Sequence, residues 1–448
     1  MQEKGNLSIH SENLFPIIKK WLYSDQDIFI RELVSNGVDA ISKLKKLVSM
    51  GEASVAEDEE YSVHVTIDAE GKTITISDNG IGMTDEEVRK YINQIAFSGA
   101  AEFLEKYKDA SEDPIIGHFG LGFYSAFMVA ELVEIHTLSY REGAEAVLWS
   151  CDGGSTYEMN AGTRTSRGTD IILHVNEDGS KYLNTWELRS ILNKYCSFMP
   201  VPIYLYNPAE EAKAEEEAAK QRKEGDPVPE KKTPSSINDI HPLWTKTPKD
   251  CTDEEYKEFY HKVFTDYKEP LFWIHLNMDY PFHLQGILYF PKLGNEFESS
   301  EGQVKLYCNQ VFVADNVKEV IPEFLLLLKG VIDCPDIPLN VSRSFLQNDG
   351  YVRKISDYIT RKVADKLKSL FTSQREDYEK YWSDIHPFIK YGCLRNDKFL
   401  ERVNGCVIYK SAVSGKYVTL EEYLEAAKET HENKVFYTTD PRQQAQYI

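Results

Sequence analysis

The sequence lacks any long hydrophobic run. No apolar stretch approaches the ~20 residues that a helix needs to span a bilayer, and the best candidate, Phe324 to Leu328, is followed at once by Lys329 and Gly330. The first ten residues, MQEKGNLSIH, are polar and lack the apolar core of a secretory signal peptide. We therefore expect neither a membrane anchor nor an exported protein.

Paired cysteines and excess positive charge are also missing. The seven cysteines are scattered without a C-x-x-C pair, and an odd, widely spaced set is typical of reduced thiols rather than disulfides or zinc ligands. The net charge is −21, and such a surface repels nucleic-acid phosphates and anionic lipid. We expect a cytoplasmic protein that binds neither nucleic acid nor membrane.

What is present is an ordinary globular composition over 448 residues, with 42% hydrophobic and 27% charged residues, enough for two or three domains. The segment AEEAKAEEEAAKQRKEGDPVPEKKTPSS has almost no apolar bulk beyond alanine. Its first half favours a solvated helix, and its proline-containing second half favours a linker. We divide the chain into a first domain (1–207), a charged linker (208–238), a larger α/β part (239–376) and a helical connection with a small α/β part (377–448).

Hydrophobic periodicity predicts the secondary structure. In the first domain, YSVHVTIDAEGKTITISD alternates around a glycine-containing turn and predicts a β-hairpin. Helices and antiparallel strands mix without a regular βαβ repeat, so we expect an α+β sandwich. Further predicted strands are LVEIHTLSY, AEAVLWSCD, GTDIILHV, QGILYFPK, VKLYCNQVFV and GVIDCPDIPL, and further predicted helices are EFLLLLKG and VRKISDYITRKVADKLKSLF.

One predicted helix, RELVSNGVDAISKL, carries a polar stripe. Glu32, Asn36, Asp39 and Lys43 are spaced four, three and four residues apart, and at about 100° per residue they share one narrow face. Asn and Asp are poor residues for a helix interior. Taken alone, such a stripe is most often a solvated face.

Two glycine-rich stretches follow. Asp78-Asn79-Gly80-Ile81-Gly82 leaves the hairpin at a flexible turn, and Gly117, Gly120 and Gly122 precede an apolar segment predicted to be a helix. Glycines at a helix N-terminus expose N–H groups suited to phosphate, although a plain turn and a mobile loop are the simpler interpretations. Neither a P-loop nor the dinucleotide fingerprint is present.

In this order, the acidic/Asn helix, the D-x-G-x-G turn, the G-x-x-G-x-G loop and RGTDIILHV resemble the Bergerat-type (GHKL) ATP site. Gyrase, histidine kinases, MutL and the ninety-kilodalton heat-shock chaperones share that site. Longer strings narrow the resemblance to the ninety-kilodalton heat-shock protein family, of the bacterial HtpG type. They are LYSDQDIFIRELVSNGVDAISKL, IGHFGLGFYSAFMV, PLWTK, EEYKEFY, VIPEFLLLLKGVIDCPDIPLNVSRSFLQ and SGKYVTLEEYLEAAKE.

The resemblance implies an ATP-dependent molecular chaperone of the stress response, which binds and hydrolyses ATP in a lidded GHKL pocket. It further implies that hydrolysis is slow and Mg²⁺-dependent, and that lid and domain closure remodel unfolded client proteins. The domain at 1–207 would hold ATP, and 239–448 would form the middle domain.

Family resemblance also implies roles for individual residues. Glu32 would activate the attacking water, Asn36 would bind Mg²⁺, and Asp78 would accept from the adenine amino group, helped by Thr169 through water. In the second domain, Arg343 would stabilise the γ-phosphate, with Gln347 beside it. The remaining pocket residues would be Asp39, Lys43, Gly82, Met83 and Asn93, with Gly117, His118, Phe119, Gly120, Leu121, Gly122 and Phe123 around the phosphates. The segment from about 93 to 123 would be a lid.

The chain departs from the family pattern at four positions and in length. Phe97 replaces the usual lysine, His118 a glutamine, and Asn309 and Gln310 two arginines. The chain stops where the family continues into a dimerisation domain. We therefore expect an ATPase-middle fragment that is mainly monomeric, with a homodimer for the full-length protein.

Three other classes of protein compete with this interpretation. A DNA-handling ATPase would need a basic second domain, which the acidic balance opposes. A sensor kinase would need a phosphoacceptor histidine upstream, and the ten residues before Ser11 leave little room for one. A nucleotide-binding module without hydrolysis is disfavoured by the presence of both Glu32 and Arg343.

Overall fold

The computed structural model describes residues 25–94, 102–103, 120–154, 156–221, 234–292, 303–316, 320–337 and 349–447. The chain divides into two units, one built mainly from residues up to Pro242 and the other mainly from Leu243 onward. Both units combine helices with largely antiparallel sheets, so the α+β class predicted from the sequence is confirmed. Within the described ranges, no helix is both long and apolar enough to cross a membrane.

The first unit is built on a seven-stranded sheet in the order β5-β4-β3-β6-β2-β1-β7. Strands β1 and β7 run parallel, and the other neighbours run antiparallel. The β1–β2 hairpin and the three strands predicted after it are confirmed. The strands are β1 Val63–Asp68, β2 Thr73–Asp78, β3 Ala130–Leu138, β4 Val147–Cys151, β5 Glu158–Ala161, β6 Gly168–Val175 and β7 Ile203–Tyr206.

Helix α1 (Ile28–Ser49) packs on one face of this sheet, against β1 and β2. Alternate strand residues, among them Val63, Val65 and Ile76, are buried on that face, as the period of two requires. All residues of α1 from Ile28 to Ser35 are buried, so the helix forms an inner layer. Among the described residues of the unit, the other helices are α2 Asp85–Tyr91, α3 Thr185–Cys196 and α4 Pro208–Gln221, with 3-10 helices at Gly122–Met128 and Ser180–Leu183.

A five-stranded sheet in the order β11-β10-β12-β9-β8 lies mainly in the second unit, and helices and a two-stranded sheet follow it in the chain. The strands are β8 Phe272–Met278, β9 Leu284–Phe290, β10 Gln303–Cys308, β11 Val311–Asp315, β12 Lys329–Asp333, β13 Ile408–Lys410 and β14 Tyr417–Thr419. The helices are α5 Asp253–Phe264, α6 Asp349–Ser373, α7 Arg375–Arg395, α8 Asp397–Val403, α9 Leu420–Ala426 and α10 Lys428–His431.

Three sequence-based predictions of secondary structure were wrong in detail. EFLLLLKG is not a helix: a short 3-10 turn at Glu323–Leu325 precedes β12, whose Gly330 pairs with Leu288 of β9. VKLYCNQVFV is two strands, because Asn309 and Gln310 form a turn with φ of 53° and 63°, a left-handed pair typical of tight hairpins. The apolar segment after Gly120 is a 3-10 helix rather than an α-helix.

Candidate functional site

Asp78 ends strand β2 and is buried beneath α1, with 8% of its surface exposed. Its Oδ1 accepts a hydrogen bond from the Gly80 N–H at 2.8 Å. Gly37 of α1 lies directly against it, since a Cβ at that position would be 3.2 Å from the Asp78 Cβ. Burial raises the pKa of Asp78 to about 7, and the Asp170 carboxylate adds to this, whereas the Gly80 and Thr169 N–H groups and Arg164 oppose it.

The backbone around Asp78 is held by the segment that leads into β6. Arg164 pairs with the Asp170 carboxylate and donates to the Asp78 carbonyl oxygen at 3.2 Å. Gly168 has a φ of 115°, and a Cβ there would lie 2.1 Å from the same carbonyl. Only glycine fits this close approach. The sequence motif contained Gly168, but Arg164 was missed because it lies outside the motif.

Thr169 lies beside Asp78 because the two residues are paired across β2 and β6. On the other side, Thr169 is paired with Thr137 of β3, and the two hydroxyl oxygens are 2.9 Å apart. Thr137 also accepts from the Met83 N–H at 2.9 Å. The structure thus brings the predicted residues Asp78, Thr169 and Met83 together, and it adds Thr137, which the sequence analysis did not single out.

The turn between Asp78 and Met83 is clamped between α1 and β3. A Cβ at Gly80 would lie 2.5 Å from the Ala40 carbonyl carbon, and the Ile81 N–H donates to the Ala40 oxygen at 3.2 Å. Gly82 has a φ of 60°, and a Cβ there would lie 1.9 Å from the Leu138 carbonyl oxygen. Both glycines are therefore required by close backbone contacts, which fix the position of Met83.

Glu32 is a buried carboxylate on α1, with 6% of its surface exposed. Its Oε1 accepts from the Nε of the neighbouring Arg31 at 2.9 Å, and the Arg31 guanidinium lies 5.6 Å from the centroid of the Tyr195 ring. Gly122 opens the 3-10 helix directly opposite, where a Cβ would lie 2.6 Å from Glu32 Oε2. The carboxylate is thus held in place between an arginine and a glycine.

The rest of the α1 stripe is not a solvated face. Asp39 is buried, and Asn36 and Lys43 are half-buried. Burial lowers the pKa of Lys43, while the carboxylates of Asp39 and Glu87 act in the opposite direction. The interpretation of the stripe as a solvent-exposed helix face is therefore wrong. A helix face with this many polar side chains is buried only where polar partners or a ligand contact it.

Asn93 follows α2 and is oriented by a buried tryptophan. Its Oδ1 accepts from the Trp149 Nε1–H at 2.9 Å. An indole N–H can only donate, so the amide orientation is fixed. The Asn93 Nδ2 is buried and has no hydrogen-bond partner among the described residues. Phe123 packs edge-to-face on Trp149 with ring centroids 5.7 Å apart. Trp149, which was not predicted from the sequence, thus contacts two predicted site residues, Asn93 and Phe123.

Five predicted site residues, namely Gly117, His118, Phe119, Arg343 and Gln347, lie outside the described residues. Gly120, with a φ of 64°, and Leu121 begin the described part of the glycine-rich loop. Across the described ranges, no three His, Cys, Asp or Glu side chains are grouped so that they could hold a metal ion.

Comparison with known proteins agrees with this fold. Residues 24–156 match the family described as histidine kinase-, DNA gyrase B- and HSP90-like ATPase, so the first unit carries an ATPase domain of a nucleotide-binding class. Residues 208–447 match the Hsp90 protein family, and the chain belongs to that family.

Several bacterial relatives are named chaperone protein HtpG. That of Porphyromonas gingivalis is 48% identical over 100% of this chain and 64% of its own length. That of Bacteroides fragilis is 50% identical over 96% of this chain and 61% of its own length. The Idiomarina loihiensis protein is 36% identical over 98% of this chain and 70% of its own length. The chain thus spans a little under two thirds of the first two of these relatives.

Proposed function

We propose that the first unit binds ATP over α1, with the base at Asp78 and the phosphates toward Glu32, and hydrolyses it slowly with Mg²⁺. The observation that carries this proposal is the pairing of a buried carboxylate, Asp78, with a buried hydroxyl, Thr169, at the ends of two neighbouring inner strands. Burying such polar groups is costly unless a partner meets them. An adenine amino group and ring nitrogen supply a matching donor and acceptor.

In this proposal the base is recognised by the Asp78–Met83 turn. The adenine amino group donates to the Asp78 carboxylate, and Thr169 reaches the base through a water. Gly82 and Met83 form the base of the pocket, where the clamped backbone described above leaves them little freedom. The pocket is thus preorganised, which lowers the ordering cost of binding.

The phosphates lie, in the same proposal, near Asn93 and the loop Gly117–Phe123. The fixed Asn93 amide offers its Nδ2 donor to a ribose or phosphate oxygen, and Asp39 and Lys43 line the helix side. The half-buried amide of Asn36 suits Mg²⁺, since its oxygen is a hard, neutral ligand and the ion retains several waters beside phosphate oxygens. When bound with the nucleotide, Mg²⁺ neutralises phosphate charge.

For hydrolysis, Glu32 is the residue that orients the attacking water and accepts its proton. Arg31 holds one carboxylate oxygen at 2.9 Å, so the group is positioned before the nucleotide arrives. Arg343 and Gln347 keep the γ-phosphate role that the family resemblance implies, since arginine presents forked, permanently charged donors to phosphate.

We further propose that the whole protein is a cytoplasmic, ATP-driven chaperone that acts on unfolded proteins as a homodimer and binds neither nucleic acid nor membrane. The similarity to bacterial relatives named chaperone protein HtpG supports the chaperone role. The seven free cysteines support a reducing compartment. The limits 1–207, 208–238, 239–376 and 377–448 remain our proposal for its domains.

The test is calorimetry with Mg-ADP, together with ATP turnover and suppression of aggregation of a heat-denatured model protein. We expect ADP binding that Asp78→Asn abolishes. Asp58→Asn, which removes the same charge at an exposed position of the same unit, is the matched control and should leave binding unchanged. Failure of the unmodified protein to bind ADP, or full affinity in Asp78→Asn, would overturn the proposed site.

A further inference from the structure

The chain contains three Asn-Gly dipeptides, at residues 36–37, 79–80 and 404–405. In such a dipeptide the glycine nitrogen can attack the side-chain carbonyl carbon of the asparagine, because glycine has no Cβ to obstruct the approach. The attack also requires that the asparagine amide and the glycine nitrogen are free to move toward each other. The structure places the three dipeptides in environments that differ in this freedom.

The dipeptide Asn36-Gly37 lies inside helix α1, which has 22 residues. A rotation that brought the Gly37 nitrogen onto the Asn36 side chain would break the hydrogen bonds of the surrounding helical turns. Gly37 is also packed closely, since a Cβ there would lie 3.2 Å from the Asp78 Cβ. This dipeptide is therefore protected unless α1 unfolds locally.

The dipeptide Asn79-Gly80 is held by hydrogen bonds at every group that the attack would use. The Asn79 Oδ1 accepts from the Ser62 N–H at 3.1 Å, and the Asn79 Nδ2 donates to the Glu60 carbonyl oxygen at 2.7 Å. The Gly80 N–H donates to Asp78 Oδ1 at 2.8 Å. The attacking nitrogen and the amide that would leave are thus both engaged in the folded chain.

The dipeptide Asn404-Gly405 is exposed at both residues. It lies in a single 3-10 turn, Asn404–Cys406, between helix α8 and strand β13. A Cβ built at Gly405 would meet no described atom within 4 Å, and the φ of Gly405 is not in the left-handed region. One 3-10 turn is held by hydrogen bonds of poor geometry, so local opening of this turn costs little.

We propose that Asn404 is a site of spontaneous deamidation and isoaspartate formation, and that the fold protects Asn36 and Asn79 from the same reaction. The Gly405 nitrogen forms a bond to the Asn404 Cγ and loses its proton to hydroxide. The bond from Cγ to Nδ2 breaks, and ammonia leaves. Water from the solvent then opens the resulting succinimide at one of its two carbonyls, which gives aspartate or isoaspartate.

Both products disturb the junction between α8 and β13. Asn404 is the C-cap of α8, where a new carboxylate meets the negative end of the helix dipole. Isoaspartate also adds one main-chain carbon between Val403 and Cys406, which are both buried. The Cys406 carbonyl accepts from the Tyr378 hydroxyl at 2.7 Å, so the modification loosens a buried attachment to helix α7. The isoaspartyl product belongs to the substrate class of carboxyl methyltransferases that use S-adenosylmethionine.

The test is incubation of the full chain at pH 8 with sampling over days, followed by trypsin digestion and mass spectrometry. Trypsin releases the three dipeptides in separate peptides, so the two protected sites serve as internal controls. We expect the mass of the acid to appear at Asn404 at least about tenfold faster than at Asn36 or Asn79, since those two react only in locally opened states of small population. In guanidinium chloride the three rates should become similar.

Three variants test the chemistry and its consequence. Gly405→Ala adds a Cβ in open space, so it should keep the fold but slow the conversion of Asn404 severalfold. Asn404→Gln keeps a neutral amide that cannot close the same ring, and it should abolish isoaspartate at this position. Asn404→Asp should lower the melting temperature by roughly 1–3 °C, because it places a charge at the C-terminus of α8, whereas Asn404→Gln should not.

Equal or faster conversion of Asn36 or Asn79 in the folded protein would overturn the inference, as would the absence of conversion at Asn404. If Asn404 remained tenfold faster in guanidinium chloride, the preference would belong to the local sequence and not to the fold. An unchanged rate in Gly405→Ala would show that the glycine nitrogen is not the attacking group. Labelled methyl transfer to the 403–410 peptide by an isoaspartyl carboxyl methyltransferase should appear with the mass change, and its absence would exclude the isoaspartyl product.

Discussion

Asp78→Asn should make the first unit more stable while it removes nucleotide binding. Burial raises the pKa of Asp78 from 3.8 to about 7, so ionising this carboxyl opposes folding. An asparagine has the same shape and cannot ionise, and its amide oxygen can still accept from Gly80. The proposed site therefore requires the Asp78 carboxylate, although its ionisation destabilises the fold.

The magnitude follows from the two pKa values. Between pH 3.8 and about 7 the folded state holds a proton on Asp78 that the unfolded chain has lost, so stability falls as pH rises through this window. Below this pH window Asp78 is protonated in both the folded and the unfolded state and does not reduce stability. Above the window the loss of stability has reached its full size. From pH 5 to pH 7 the loss is ~1.4 kcal/mol per pH unit, or about 2–3 kcal/mol in total.

The assay is calorimetric melting of the unmodified protein and Asp78→Asn at pH 5 and pH 8, with Asp58→Asn as the exposed control. Any penalty for burying the asparagine amide is independent of pH and cancels in the comparison. For a unit of this size ~1 kcal/mol shifts the melting temperature by roughly 2–4 °C. The variant should therefore gain roughly 5–10 °C over the unmodified protein between pH 5 and pH 8.

Two results would refute the reasoning. If the difference between the two proteins were the same at both pH values, the pKa of Asp78 would not be raised in the folded state. If the unmodified protein gained stability relative to the variant as the pH rose from below 3.8 to pH 5, the pKa of Asp78 would be depressed in the folded state instead.

The same carboxyl predicts that ADP affinity, measured by calorimetry, is about tenfold weaker at pH 6 than at pH 8, since only about a tenth of Asp78 is ionised one unit below its pKa; stronger binding at pH 6 would contradict this. Glu32→Ala should bind ADP within about twofold of the unmodified protein but lose at least ~100-fold in ATP turnover, because its role is in the chemical step. Turnover that survived in a coupled-enzyme assay would remove Glu32 from that role. Gly122→Ala places a Cβ within 2.6 Å of Glu32 Oε2 and should lower turnover about tenfold with little change in ADP affinity; equal losses in both would show that the loop, rather than Glu32, is displaced.

Local patterns in the sequence were sufficient for much of the fold. The predictions of the β1–β2 hairpin, the strands β3, β4 and β6 and the helices α1 and α6 are confirmed, and each of these elements has a clear period of two or of 3.6. Strand β9 is also confirmed, although it is an almost continuous buried run. The prediction of a helix at EFLLLLKG was wrong because a short apolar run has no period that distinguishes a helix from a strand. The last two residues of this run belong to β12 and pair with β9. The single strand VKLYCNQVFV failed because Asn309 and Gln310 adopt left-handed conformations.

For the site, each sequence motif identified a group of residues that are close together in the chain. The binding roles of these residues remain predictions. The structure places Asp78 beside Thr169 and Glu32 beside Gly122. It also adds Thr137, Arg164 and Trp149, which contact predicted site residues at separations of 32, 86 and 56 positions in the chain, respectively. Nothing in the local sequence of these three residues distinguishes them from ordinary strand or loop residues.

The sequence by itself determined which segments are candidates for the nucleotide site, because glycines at close approaches and polar residues within a helix are costly choices that stand out locally. Only the tertiary structure decided the contacts and the ionisation of those groups. Strand register places Thr137 against Thr169, burial beneath α1 moves the pKa of Asp78 to about 7, and the approach of Gly122 confines Glu32. Hydrogen-bond direction and ionisation depend on neighbours brought together by folding, which a linear pattern does not contain.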